Sequence, residues 1–126
     1  MERKKMKNKV VVVDDNKNNL LLEKDLLELD GFEVFTARDA TGGIEAARSI
    51  NPDVIVMDVR LPDMRGTDAA MILRQDRLTE GIPIVFVTAS VMEEGLEEVR
   101  GVINSGFIGK PIDTRTFAKT IRGFIR

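Results

Sequence analysis

The chain has 126 residues, 43% of them hydrophobic, which suits one domain of ordinary size with a sizeable core. Lys and Arg number 19 against 21 Asp and Glu, and a net charge of -2 gives no support to nucleic-acid binding through bulk charge. With no Cys and no His, disulfides, thiolate catalysis, imidazole bases and classical zinc sites are excluded; the carboxylates, hydroxyls and ammonium groups that remain favour a hard cation such as Mg2+.

The basic start, MERKKMKNK, leads into no apolar signal region, and no apolar run reaches the length of a membrane span. The expectation is a soluble cytoplasmic protein with no membrane partner. VVVV at 10–13 is a β-branched run ending in Asp14 and Asp15, which reads as a buried strand delivering carboxylates at its tip. Asn16 can cap the helix that follows, whose leucine-rich face runs through residues 20–29 until Gly31 ends it. Residues 32–36 form a second strand. Residues 39–49 form a second helix, in which Gly42 and Gly43 each cost up to about 1 kcal/mol against Ala, a source of local mobility.

Asn51-Pro52 is a turn, and DVIVMDV at 53–59 has the apolar character of a central parallel strand covered on both faces. A loop at 61–66, punctuated by Pro62 and Gly66, leads to a third helix at 67–75. IVFVT at 84–88 is a fourth strand, and a fourth helix with a thin apolar pattern follows at about 92–101. Residues 106–109 make a short fifth strand, stopped by Pro111. A last helix covers about 114–125, with Phe117, Ile121, Phe124 and Ile125 on its inner face. Strands alternating with helices imply a parallel (βα)5 sheet with right-handed crossovers, in one domain spanning 1–126 with a core of about 9–125. In such sheets, sites form beyond the carboxyl ends of the strands.

Four strand ends then converge on one rim: Asp14 and Asp15 from the first, Asp58 from the third, Thr88 from the fourth, and Lys110 after the fifth. Crowded carboxylates repel one another, and a hard divalent cation is the simple means of neutralising them. Alone, the Asp14-Asp15 pair is equally well a helix cap or a solvated strand end. Asp58 interrupts an apolar run, where a carboxylate costs desolvation energy unless it is paired or near an exposed tip. As a nucleophile it would need a metal to organise an incoming phosphoryl group. Thr88 alone is an ordinary strand-end threonine, though its hydroxyl could donate to a phosphoryl oxygen beside the small Ala89. Lys110 alone is uninformative, yet it could reach across the acids to Asp58. The joint occurrence, in order and on the right strands, is the specific signal.

VVVDDN at 11–16, PDVIVMDVRLPDMRG at 52–66, PIVFVTA at 83–89 and GFIGKPI at 106–112 together resemble the receiver domain of two-component response regulators, the chemotaxis-regulator-like family, over residues 9–125. The resemblance implies a flavodoxin-like, doubly wound three-layer α/β sandwich with strand order 2-1-3-4-5. It implies that Asp58 takes a phosphoryl group from a histidine kinase or a histidine phosphotransfer protein. The Mg2+ ligands, for which Mn2+ can substitute, would be Asp14, Asp15, Asp58 and the carbonyl of Arg60. Thr88 and Lys110 would contact the phosphoryl group, Phe107 would be the aromatic switch residue, and the Lys110-Pro111 bond would be cis. Phosphorylation would then change the face of the fourth helix, fifth strand and fifth helix for a downstream protein, with a homodimer through the fourth and fifth helices left open.

The chain departs from the family pattern in three places. Phe107 stands where Tyr is common, Ile103 stands where glycine is usual, and Arg60 occupies a variable position from which its side chain could govern how water reaches the acyl phosphate. The chain reads as a stand-alone receiver with no output domain. Beyond self-phosphorylation from a donor and slow self-dephosphorylation, no enzyme activity is expected. The alternatives are a phosphorylation-independent interaction module and a metal-dependent phosphatase, the latter disfavoured because Arg60 stands where a general acid would be needed.

Overall fold

A computed structural model describes residues 7–89 and 105–125. Five strands, β1 Lys9–Val13, β2 Glu33–Ala37, β3 Val54–Asp58, β4 Ile84–Thr88 and β5 Ser105–Gly109, form a single sheet in the order β2-β1-β3-β4-β5. All four pairings are parallel. The helices are α1 Lys17–Leu29, α2 Ala40–Ile50, α3 Gly66–Arg74 and a C-terminal helix, Phe117–Arg122. The fourth helix expected at about 92–101 and the departure at Ile103 lie outside the described residues.

Because side chains alternate along a strand, the unbroken apolar runs feed two cores at once. Val11, Val13, Ile55, Met57, Ile84 and Phe86 face α2 and α3, meeting Ile44, Ala47, Ala70 and Leu73. Val10, Val12, Val54, Val56, Val85 and Val87 face the other way, onto Leu20 and Leu27 of α1 and Phe117 and Ile121 of the C-terminal helix. This is the expected three-layer, doubly wound arrangement. It leaves the strand tips as the place where polar side chains escape the core.

Local chemistry sets the helix ends. Asn16 Oδ1 accepts a hydrogen bond from Asn19 N at 3.0 Å and starts α1, as expected. Gly31, at φ 92°, takes the left-handed turn after α1, and Asn51, at φ 53°, does so after α2. The Gly42-Gly43 pair falls in the first turns of α2, and Gly43 has a packing reason to be glycine: a Cβ there would stand 2.6 Å from Val13 Cγ2.

The C-terminal helix is shorter than the expected 114–125. Asp113 holds the preceding residues in a turn, its carbonyl accepting from Phe117 N at 2.9 Å and its Oδ1 from Arg115 N at 2.9 Å. After Arg122, Phe124 N and Ile125 N close tighter turns onto Ile121 and Arg122 carbonyls. Phe124 still packs inward, against Gly106, where a Cβ would come within 2.3 Å of its ring.

Candidate functional site

The carboxyl ends of β1, β3 and β4 open into a cleft of about 500 Å3 lined by Asp15, Asn16, Asn19, Asp58, Arg60, Thr88, Ala89 and Lys110. Asp14, next to Asp15 in the chain, is buried at 1% exposure. The sheet register explains the convergence. Val13 pairs with Met57, so Asp14 follows β1 level with Asp58 at the end of β3. Thr88 pairs with Gly109, which puts Lys110 one step beyond the rim. Lys110 N donates to the Thr88 carbonyl at 2.8 Å, and the Lys110-Pro111 bond is cis.

Carboxylate oxygens of Asp14, Asp15 and Asp58 lie within 4.8 Å of one another. Lys110 Nζ bridges two of them, 2.9 Å from Asp58 Oδ2 and 3.6 Å from Asp14 Oδ2. Asp58 Oδ1 accepts from Arg60 N at 3.1 Å. Burial lowers the Lys110 pKa, but its hydrogen bond to Asp58 and the charges of Asp58, Asp14 and Glu23 outweigh this and raise it. Burial raises the Asp14 carboxyl above its ordinary value, and the Asn16 backbone bond and Lys110 only partly offset the effect.

A hard divalent cation fits this donor set. Asp14 Oδ1 is bonded to Asn16 N at 2.9 Å, whereas Oδ2 is buried and accepts no hydrogen bond from any described donor. A buried anionic oxygen whose described contact is the 3.6 Å ion pair with Lys110, beside two further carboxylates, is what an oxygen-seeking cation satisfies. Among the described residues this is the one acidic group with such spacing.

The cleft therefore gathers Asp14, Asp15, Asp58, Arg60, Thr88 and Lys110. Phe107 stands apart, 41% exposed on β5 and in register with Phe86.

Three surrounding features escaped sequence reasoning. Glu23 of α1 is 3% exposed, and burial, then the charge of Asp14, pushes its carboxyl up to about 8. Its signal was present: Leu20, Glu23 and Leu27 share one helical face, so the acid sits on the apolar stripe. Asp63 accepts from Ala40 N at 2.8 Å, Thr41 N at 2.9 Å and Thr41 Oγ1 at 2.6 Å. Those bonds, the Thr41 hydroxyl first, lower it to about 2. Arg38 donates to the Asp15 carbonyl at 3.2 Å. Neither of these last two partnerships has a local sequence signal, because each joins residues more than twenty apart.

Gly66 punctuates the loop, as expected, and has a stricter role. A Cβ on it would come within 2.3 Å of the Asp58 carbonyl oxygen, so α3 starts directly against the backbone that carries the central carboxylate.

The comparisons with known proteins agree with this geometry. Residues 10–122 match the model of the response regulator receiver domain. The chain is 33% identical over 120 residues to the polar-differentiation response regulator DivK of Brucella ovis, covering 95% of this chain and 98% of that one. The chemotaxis response regulator CheY4 of Vibrio cholerae has a similar structure, with a TM-score of 0.88 and 28% identity over 95% of this chain and 100% of that one. A parallel sheet of order 2-1-3-4-5, an acid-lined rim at its carboxyl end and a family match over nearly the whole chain lead to one assignment: the chain belongs to the response regulator receiver domain family of two-component signalling.

Proposed function

We propose that the chain is a phosphoacceptor switch in which Asp58 receives a phosphoryl group from a histidine kinase or a histidine phosphotransfer protein. The observation that carries this reading is the 2.9 Å contact of Lys110 Nζ with Asp58 Oδ2 inside a cluster of three carboxylates. A carboxylate oxygen of Asp58 attacks phosphorus, the bond to the donor's imidazole nitrogen breaks, and an acyl phosphate forms. Asp14, Asp15, Asp58 and the Arg60 carbonyl would hold Mg2+, or Mn2+ in its place. When bound, the cation supplies the positive charge that lets an anionic phosphoryl group approach an anionic nucleophile.

The chain's own groups do the rest. Lys110 exchanges its contact with Asp58 for one with a phosphoryl oxygen, and the Thr88 hydroxyl donates to another. Asn16, Asn19 and Arg60 line the cleft beside Asp58, where water would have to reach the acyl phosphate. Phosphorylation adds charge and acceptor oxygens at the rim, favouring the state in which Thr88 closes on the group. Phe107, half exposed in the structure, would turn inward as Thr88 moves and alter the surface of β5 and the C-terminal helix. A downstream protein, or a second copy of the chain, would read that surface. In this reading the only covalent turnover is self-phosphorylation and slow self-dephosphorylation.

Intact-mass measurement after incubation with acetyl phosphate and Mg2+ tests the proposal. A gain of one phosphoryl group is expected, absent in Asp58→Asn and absent without the metal. Folded, Mg2+-binding protein that gains no mass from acetyl phosphate or from a phosphorylated histidine donor would instead be a phosphorylation-independent interaction module.

A further inference from the structure

Apart from Asp58, the last residue of β3, the proposed cation ligands lie on two loops: the turn after β1, which carries Asp14 and Asp15, and residues 59–65, which carry the Arg60 carbonyl. The second loop is closed at its neck. Arg60 and Arg65 form an isolated antiparallel bridge, and Gly66 N donates to the Val59 carbonyl at 2.8 Å. Its far end is not free either. Asp63 reaches across to the start of α2 and accepts three hydrogen bonds, from Ala40 N, Thr41 N and Thr41 Oγ1. Asp39 Oδ1 takes Gly42 N at 2.7 Å, so two carboxylates divide the orphan amides of one helix end, one local and one from the loop.

The same corner holds the other loop, because Arg38, two residues before Ala40, donates to the Asp15 carbonyl at 3.2 Å. Residues 38–41 thus grip both ligand-bearing loops from one side, and α2 behind them is fixed to the sheet by Ala40, Ile44 and Ala47 in the core. Asp63 itself is exposed, so its bonds do little for the fold as a whole. Their geometric consequence is local: they set where residues 60–62 sit relative to Asp58.

We propose that Asp63 is a positioning residue for the cation site, docking the Arg60-bearing loop on the Arg38–Thr41 corner so that the backbone carbonyl is in place before the cation arrives. This rests on the reading of Arg60 as a carbonyl ligand. Groups that orient metal ligands without touching the metal commonly change affinity by 10-fold or more when removed.

Two measurements on the full chain test the role: titration calorimetry with Mg2+ alone, and amide hydrogen exchange of residues 60–65 in metal-free protein. Asp63→Ala is expected to weaken Mg2+ binding about 10-fold and to speed exchange in the loop. Its deficit in Asp58 modification by acetyl phosphate should narrow as Mg2+ is raised. Asp63→Asn, which loses the charge but keeps one acceptor oxygen, should fall between wild type and Asp63→Ala. Thr41→Val, which removes one of the three donors, should give a smaller shift in the same direction and serves if Asp63→Ala does not fold. Affinity within about 2-fold of wild type overturns the role. So does weaker binding with unchanged loop exchange, since the carboxylate would then act only through its charge. If wild-type protein neither binds Mg2+ nor gains a phosphoryl group, the switch reading fails and takes this role with it. If wild type does both and the variants match it, the positioning role alone fails.

Discussion

Two carboxyls flank the cleft in opposite circumstances. On the α1 side, Glu23 is buried behind Asp14, and desolvation raises it to about 8. On the α2 side, Asp63 is in solvent, and its hydrogen bonds from Thr41 and the helix amides lower it to about 2. Burial penalises the charged form, while donors favour it. The difference shows that one wall of the site is set by packing and the other by hydrogen bonds, and the two walls should answer to pH with opposite signs.

The largest effect belongs to Glu23. Its folded pKa lies above the ordinary value of 4.5, so between 4.5 and about 8 the native state holds a proton that the unfolded chain has lost. Stability is therefore full below 4.5 and declines as pH rises toward 8. At about 1.4 kcal/mol per unit the ceiling is about 5 kcal/mol, reduced by any relaxation of the site. Metal-free denaturant unfolding across this range should show the decline in wild type and lose most of it in Glu23→Gln, with Asp14 leaving a smaller fall of the same sign. Equal slopes in the two proteins would mean that Glu23 does not hold its proton and that packing does not govern that wall.

Next comes Gly66, at the foot of the opposite wall. The Cβ of Gly66→Ala would stand 2.3 Å from the Asp58 carbonyl, which forces α3 or the end of β3 to move. Overpacking of this kind costs about 2 kcal/mol. Acetyl phosphate modification of Asp58 should fall along with the thermal midpoint, since the displaced backbone carries the nucleophile. A variant as stable and as readily modified as wild type would show that this wall has slack.

The smallest effect is the acid limb of Asp63. With its folded pKa below 3.8, it contributes stability that is present above 3.8 and lost as pH falls toward 2. Solvent screening keeps the contribution small. Thr41→Val, which removes the leading cause, should flatten the low-pH limb slightly while leaving the Glu23 decline intact. A change in the Glu23 limb instead would mean that the two walls are coupled through the cleft.

Much of this was legible in the chain. The Val10–Val13 and Val54–Met57 runs announced central strands because a parallel strand covered on both faces has no polar positions to alternate, and Asp14 and Asp58 stood out at their ends for the same reason. Gly66 was visible, but its closeness to the Asp58 carbonyl was not, since that depends on where α3 returns to the sheet. Glu23 is visible in the sequence as an acid on a leucine stripe; only the docking of α1 shows that it is buried within reach of Asp14. The last helix is shorter than its periodicity implies, because the apolar pattern continues through residues whose hydrogen bonds form turns instead.

The sequence by itself determined the order of strands and helices, the faces that form the two cores, and the rim at which acid, hydroxyl and ammonium groups would meet, because periodicity and chain direction are local properties. Tertiary structure decided which carboxylate is buried and which is solvated, that Lys110 bridges Asp58 and Asp14, and that Asp63 and Arg38 reach the α2 corner and the Asp15 loop from over twenty residues away. Burial and long-range hydrogen bonds depend on distances between segments, and only the packed sheet sets those distances.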